Sequence, residues 1–194
     1  MRRKESEFKT IFFSESGTQK INNDYFGYVQ LDNYAIWVIA DGYDGEEGAN
    51  IASKLSVESA IEYFTAHPRF NKEVIKELFK YTNDTIKQKQ EEMERYSLMH
   101  TSLLIVISNY NKILYGNIGN TRLYHIQGGY IVNQSSDDSV SQLLVQERAL
   151  DIKDIKSHRQ RNDLLQAIGD YSKIKPTISN EIKLLEGDKI CLTT

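Results

Sequence analysis

Two runs of aromatic and β-branched residues in the first quarter of the chain restrict its possible folds more than any other feature. They cover residues 24–31 and 34–40, and only Asp32 and Asn33 separate them. Strand-type runs joined by a two-residue polar break are typical of a β-hairpin. The second run is apolar throughout, so we expect its strand to be buried on both faces, inside a layered fold.

Helical spacing of apolar residues follows the hairpin. It predicts a helix of about four turns over residues 51–64 and an amphipathic helix over residues 75–93, the latter with a charged outer face. Four strand-type runs come next, and their short connectors predict an antiparallel meander. These runs begin at Thr101, Ile113, Arg122 and Tyr130.

The last quarter of the chain predicts smaller elements. We expect short helices over residues 138–150 and 160–168, and a final strand over residues 188–193. The resulting order is strands, two helices, strands, small helices and a strand, which predicts an α+β fold. A parallel α/β fold is disfavoured, because its helices would be interleaved one per strand.

The composition limits the partners and the compartment. The chain has 24 Lys and Arg against 27 Asp and Glu, a formal net charge of -3, which favours neither nucleic acid nor an anionic membrane as a partner. It shows neither an export signal nor an apolar segment of membrane-spanning length. The lone cysteine, Cys191, lies in an apolar run, so we expect a buried, inert thiol and a reducing compartment. We therefore expect one cytoplasmic domain over residues 1–194, since no linker divides the chain.

Oxygen-bearing residues at the open end of the hairpin are the remaining candidates for chemistry, because phosphate-loop, dinucleotide, zinc-protease and nucleophile-elbow motifs are absent. Asp24 enters the first strand and Asp41 leaves the second, so we expect the two to lie side by side at one sheet edge. Two carboxylates beside the open carbonyl of Gly42 suit Mg²⁺ or Mn²⁺. The alternative is that Asp41 and Gly42 only form a turn, which Asp24 caps.

Four stretches of sequence occur in a characteristic order along nearly the whole chain. They are SESGTQKINNDYFGY (14–28), ADGYDGEEGANIAS (40–53), HTSLLIVI with ILYGNIGNTRLYHIQGG (100–129), and RNDLLQAIG with GDKICLTT. Together they resemble the metal-dependent serine/threonine protein phosphatases of the protein phosphatase 2C type. The resemblance implies a four-layer α-β-β-α sandwich of antiparallel sheets, with a two-metal site at one end of the sandwich.

The resemblance also implies roles for individual residues. Asp41 resembles the carboxylate that bridges both metals, Gly42 the backbone carbonyl ligand, and Asp24 the acid that orients a water. The implied cofactor is Mn²⁺ or Mg²⁺, and the implied reaction is hydrolysis of a phosphoprotein by a metal-activated water. Arg122 resembles the structural arginine of the family, so we expect it to bridge backbone or acid groups.

Several positions depart from the family pattern. Asn23 stands where the family has a metal-binding Glu, and a neutral amide there should weaken a divalent site by on the order of a few kcal/mol. Gln19 stands where the family has a phosphate-binding Arg, with Lys20 beside it as a geometrically different substitute. Asn120 replaces an Asp associated with an additional metal. Asp44 is acidic where the family usually has Gly, so it could supply the ligand that Asn23 lacks.

The last metal-binding aspartates of the family follow the strand that DKICLTT resembles, beyond Thr194. We therefore expect the sequence to lack the C-terminal part of the family fold. Two function hypotheses follow: a metal-dependent serine/threonine protein phosphatase, or an inactive pseudophosphatase that binds a phosphoprotein or a regulatory partner. The departures favour the second for the chain as written, and an unrelated α+β binding protein is the third hypothesis.

Overall fold

The computed structural model describes residues 7–43, 47–161 and 163–194. The strands are β1 (Asp24–Gln30), β2 (Ala35–Gly42), β3 (Thr101–Ser108), β4 (Lys112–Ile118), β5 (Arg122–Gln127), β6 (Tyr130–Gln134), β7 (Thr177–Ile178), β8 (Ile182–Lys183) and β9 (Lys189–Thr193). The helices are α1 (Ala49–Ala66), α2 (Lys72–Glu92) and α3 (Val140–Gln146), with 3₁₀ turns at Glu94–Tyr96 and Ile152–Ser157.

The predicted hairpin is confirmed and lies at one edge of the larger sheet. The backbone N–H of Leu31 donates to the Tyr34 carbonyl at 2.7 Å, which closes the turn. β2 pairs with β1 on one side and with β3 on the other, both antiparallel. Ile36, Val38 and Ala40 pack in one apolar cluster, and Trp37 and Ile39 pack against another on the opposite face, so β2 is covered on both faces as its apolar run predicted.

Two antiparallel sheets form the body of the fold. Sheet A has the order β1-β2-β3-β4, with β7 and β8 both pairing with β4, and sheet B has the order β6-β5-β9. The predicted four-strand meander is thus only half right, because β4 and β5 belong to different sheets. The chain changes sheet at Gly119, whose φ of +91° and distance of 2.6 Å from an added Cβ to the Ser102 Cβ exclude a larger residue.

The sheets and helices stack as layers around two apolar clusters. Alternate residues of β2, Ile36, Val38 and Ala40, share a cluster with residues of α1 and α2 such as Phe64 and Phe79. The opposite face of sheet A packs on sheet B through a second cluster, which contains Leu104, Val106, Ile113, Tyr115 and Leu123. The predicted α+β class with antiparallel sheets is confirmed. The described residues form three of the four expected layers, with both long helices on sheet A.

The described residues of the 160–168 segment, 160–161 and 163–168, do not form the predicted helix. Ile168 instead pairs with Thr101 in an extended bridge, with N···O distances of 3.1 and 2.9 Å. Its buried side chain joins the core between sheet A and the helices, so packing outweighs local helical spacing. The helix predicted over 138–150 is present but shorter, as α3.

The last predicted strand is confirmed as β9, but the predicted burial of its cysteine is wrong. Ile190 and Leu192 pack against the cluster between the sheets. Successive side chains of a strand point to opposite faces, so Cys191 lies on the outer face and is exposed. Among the described helices, none combines the length and apolar character needed to cross a bilayer.

Candidate metal and catalytic site

Asp24 and Asp41 lie directly opposite each other in the register of β1 and β2. Partners across an antiparallel pair point to the same face, with Cβ atoms about 5 Å apart. Trp37 and Ile39, which share the alternation of Asp41, pack toward sheet B. Both carboxylates are therefore presented on the face of sheet A that is turned toward sheet B, at the end of the sandwich.

The peptide between Asp41 and Gly42 is held on both sides. Its carbonyl oxygen accepts hydrogen bonds from the hydroxyls of Thr101 at 2.8 Å and Ser102 at 3.3 Å. Its N–H, on Gly42, donates to the backbone oxygen of Asn23 at 3.0 Å. β1 and β3 therefore flank this peptide and fix it from both sides.

Gly42 has no space for a side chain. A Cβ built on it would overlap the backbone oxygen of Ala49, in the first turn of α1. Because the obstacle is backbone, no rotamer change could relieve the overlap. The start of α1 therefore lies directly against the end of β2, and only glycine fits at position 42.

Asp24 is partly buried and is held by its neighbours in sequence and in space. Its N–H donates to the side-chain oxygen of Asn22 at 3.0 Å, and the Asn22 amide donates to the Ser14 hydroxyl at 2.8 Å. The hydroxyl of Thr194 donates to Asp24 Oδ2 at 2.9 Å. Residues far apart in sequence thus converge on this carboxylate.

The other predicted site residues are distributed differently. Asn23 contacts the site through its backbone oxygen. Gln19 and Lys20 lie in an exposed segment, where the N–H of Gln19 donates to the Ser16 oxygen at 2.9 Å. Asp44 lies outside the described residues. The hairpin therefore brings Asp24, Asp41 and Gly42 together and leaves Gln19 and Lys20 on the surface.

The donors at this edge are oxygen atoms, which are the ligands that hard divalent cations take. In residues 7–43, 47–161 and 163–194, no group of three or more Asp, Glu, His or Cys side chains is arranged to hold a metal. The described donors are two facing carboxylates and the carbonyl of Gly42, a position where a side chain would overlap the backbone of Ala49. This set fits a cation that retains several waters, as Mg²⁺ and Mn²⁺ do.

Arg122 forms the acid bridge expected of it. Its Nε and Nη2 atoms donate to the two carboxylate oxygens of Asp137 at 2.6 and 2.5 Å. This bidentate contact raises the pKa of the guanidinium above its usual value, although partial burial acts in the opposite direction. The pair ties the first residue of β5 to the segment that follows β6 and is a structural contact.

Sequence reasoning missed Thr101, Ser102 and Thr194. The first two open a buried strand whose next five residues are all apolar, and buried polar side chains almost always have hydrogen-bond partners. That contrast was a usable signal for a positioned pair of hydroxyls. For Thr194 no local pattern was available, because its contact spans 170 residues of sequence.

Comparison with known proteins gives a consistent family. The family model described as protein phosphatase 2C matches residues 14–185. The chain is 27% identical over 186 residues to protein phosphatase PhpP of Streptococcus pneumoniae serotype 2 (strain D39 / NCTC 7466), covering 93% of this chain and 75% of that protein. It is 24% identical over 179 residues to the serine/threonine phosphatase stp of Listeria monocytogenes serotype 4b (strain F2365), covering 88% and 69% respectively.

Solved structures share the fold. The serine/threonine phosphatase of S. agalactiae matches with a TM-score of 0.76 at 23% identity, over 89% of this chain and 72% of that one. The catalytic domain of the serine/threonine protein phosphatase PstP, solved in complex with two manganese ions, matches with a TM-score of 0.74 at 21% identity, over 90% and 71% respectively. The two-sheet architecture is thus the fold of these phosphatases.

Proposed function

Because the chain belongs to the protein phosphatase 2C family, we propose that it removes phosphoryl groups from serine and threonine side chains of proteins with the help of Mn²⁺ or Mg²⁺. The observation that carries the proposal is the register pairing of Asp24 with Asp41 at one end of the sandwich. Like charges directly opposite on one sheet face repel each other. A divalent cation bound beside them would relieve that repulsion.

The residues that would hold the cation are Asp41, through its carboxylate, and Gly42, through its carbonyl. Asn23 would contribute an amide oxygen, and Asp44 a further carboxylate. A bound divalent cation supplies two kinds of chemistry to phosphoryl transfer: it lowers the pKa of water and it neutralises charge on the phosphoryl oxygens.

The chain itself would supply the proton acceptor and the phosphoryl contacts. Asp24 would orient the attacking water and accept its proton, while the Thr194 hydroxyl holds Asp24 Oδ2 in place. Lys20 and Gln19, exposed on the segment before β1, would contact the phosphoryl group from outside the sheet. A cytoplasmic phosphoprotein is the substrate class that we propose, in agreement with the single thiol of the chain.

The test is a manganese titration that follows thermal unfolding, together with hydrolysis of a phosphothreonine peptide. We expect Mn²⁺ to raise the melting temperature and to support hydrolysis. Asp41→Asn should remove the thermal response and lower hydrolysis by a factor on the order of 100 or more. The matched control is Asp32→Asn, the same change at the exposed turn of the same hairpin, which should behave like the wild type.

The outcomes separate the alternatives. A wild-type protein that is stabilised by Mn²⁺ but hydrolyses no phosphopeptide would be a binding module without activity. An equal rise in melting temperature for the wild type and Asp41→Asn would show that the cation does not bind at Asp41. Hydrolysis that is independent of added Mn²⁺ and Mg²⁺, and that chelators leave intact, would contradict the proposed chemistry.

A further inference from the structure

Two buried hydroxyl groups converge on one carbonyl oxygen beneath the candidate site. Thr101 and Ser102, with 0% and 1% of their surface exposed, both donate from their hydroxyls to the carbonyl oxygen of Asp41. The Thr101 hydroxyl also lies 2.9 Å from the Ser102 carbonyl, so its 2.8 Å contact with Asp41 is the shorter of the two. The two residues begin β3, the strand next to β2 in sheet A.

The same stretch of backbone is held at two further points. The Gly42 N–H donates to the Asn23 oxygen, and the Tyr43 N–H donates to the His100 oxygen, each at 3.0 Å. A peptide unit is planar, so contacts on its oxygen and on its N–H together fix the orientation of the Asp41–Gly42 unit. That orientation determines where the Asp41 side chain leaves the backbone and where the Gly42 carbonyl points.

We propose that Thr101 and Ser102 are positioning residues that set the geometry of Asp41 and Gly42 for a divalent cation. The inference rests on the proposed function, since it assigns a purpose to the hydroxyl pair within that same site. Groups that orient metal ligands without touching the metal typically change metal affinity by roughly 10- to 100-fold when they are removed. The hydroxyl pair would act through the backbone in this way.

A purely structural role is the competing explanation, because any buried hydroxyl needs a partner. β3 provides its own control at the opposite end. Ser108 is fully buried, donates to the Lys112 oxygen at 2.8 Å and accepts from the Tyr110 N–H at 2.9 Å. Ser108→Ala therefore removes a comparable buried hydroxyl from the same strand, away from the site.

The first arm of the test measures amide hydrogen exchange of Gly42 in the full chain by NMR. The variants are Thr101→Val, which removes the hydroxyl and keeps the β-branched shape, Thr101→Ser, which keeps the hydroxyl, and Ser102→Ala. Exchange of the Gly42 amide should be faster in Thr101→Val and in Ser102→Ala than in the wild type. It should be close to wild type in Thr101→Ser and in Ser108→Ala.

The second arm measures the manganese concentration at half-maximal thermal stabilisation, and the manganese dependence of phosphopeptide hydrolysis. Thr101→Val should raise both midpoints roughly tenfold, and Ser102→Ala should raise them less because its contact is longer. Thr101→Ser should restore the wild-type midpoints. Ser108→Ala should lower the melting temperature without moving either midpoint. If the role of Thr101 were purely structural, Thr101→Val would behave in the same way as Ser108→Ala.

The results that overturn the proposal are distinct from those that overturn the function. An unchanged Gly42 exchange rate in both Thr101→Val and Ser102→Ala overturns the positioning role directly. Faster exchange with unmoved manganese midpoints also overturns it, while leaving the phosphatase proposal intact. A wild-type protein that does not respond to manganese overturns the proposed function, and with it any cation-related role for the two hydroxyls.

Discussion

A carboxylate lies at each end of β9, and the surroundings of the two carboxylates differ. Just before the strand, Asp188 Oδ2 lies 2.9 Å from His125 Nε2, and both side chains are 4% exposed. Just after it, the Thr194 hydroxyl donates to Asp24, which faces Asp41 across the hairpin. The rise of an extended strand separates the two ends by ~20 Å.

The difference lies in how the charge of each carboxylate is balanced. Burial alone would raise the pKa of Asp188, but hydrogen bonds from the Leu185 N–H, His125 and Gln127 outweigh it and hold the pKa below its usual value. Asp24 instead opposes a residue of the same charge. We therefore expect the Asp188 end to stabilise the fold and the Asp24 end to serve binding and chemistry, at some cost in stability.

The strongest test of this contrast is the activity of Asp24→Asn compared with Asp188→Asn. Loss of the proposed proton acceptor should lower kcat by roughly 100-fold, with a smaller change in KM. Asp188→Asn should leave kcat close to wild type, measured on a phosphothreonine peptide at saturating Mn²⁺. Comparable losses of kcat in the two variants would erase the distinction between the ends of β9.

Stability should reverse the order of the same two variants. Asp188→Asn replaces a buried carboxylate that accepts hydrogen bonds from the Leu185 N–H and from Gln127 and contacts His125, and it should lower the free energy of unfolding by about 1 to 3 kcal/mol. Asp24→Asn, at a partly exposed position, should change it by less than about 1 kcal/mol. Urea unfolding in the absence of metal measures both, and a larger loss from Asp24→Asn would contradict the assignment.

The pH dependence of stability gives the sign of the Asp188 contribution. Its folded-state pKa is lowered from the usual 3.8, so the stabilisation is complete above that value and is lost as the pH falls through the lower folded pKa. We expect the difference in urea midpoint between wild type and Asp188→Asn to shrink as the pH is lowered below about 4. A constant difference in urea midpoint across that range would show that the charge of Asp188 does not account for its contribution to stability.

The ionised side chain of Asp138 should lower the free energy of unfolding, which is a smaller effect than that of Asp188 and opposite in sign. Burial raises its pKa, and a hydrogen bond from Gln166 only partly opposes the rise. The ionised form is thus disfavoured by folding, and Asp138→Asn should raise stability at neutral pH by less than about 1 kcal/mol. The gain should disappear in acid, where the wild-type carboxyl is protonated; a loss of stability at pH 7 would contradict this sign.

Cys191, between the two ends of β9, should give the smallest effect. Its side chain is on the outer face of sheet B, so Cys191→Ser should change the free energy of unfolding by no more than about 0.5 kcal/mol. The native thiol should react with a soluble thiol reagent at a rate close to that of the unfolded chain. Protection in the native state would show that the outer face of β9 is covered in solution.

Local sequence was sufficient to predict the pairing at the centre of the site. A two-residue turn fixes hairpin register, and the two-residue period of strands then places Asp24 and Asp41 on one face. The family resemblance added the expected two-sheet architecture and roles for these residues, which remain proposals. Helices α1 and α2 were also predicted, because their apolar spacing extends over many turns.

Features that depend on distant segments could not be predicted in the same way. The contact of Thr101 with Asp41 follows from the register of β3 on β2, across 60 residues of sequence. The separation of β4 and β5 into different sheets depends on Gly119, which looks like an ordinary hairpin residue in the sequence. The burial of Ile168 likewise depends on its pairing with Thr101, which local helical spacing does not reveal.

The absence of a side chain at Gly42 has a mechanical consequence. The end of β2 and the first turn of α1 touch through main-chain atoms, with nothing compressible between them. Because no flexible side chain lies in this contact, a shift of the start of α1 toward the sheet would displace the Asp41–Gly42 peptide by a similar amount. A molecule that pressed the start of α1 toward the sheet would therefore disturb the carboxylate pair without itself touching Asp24 or Asp41.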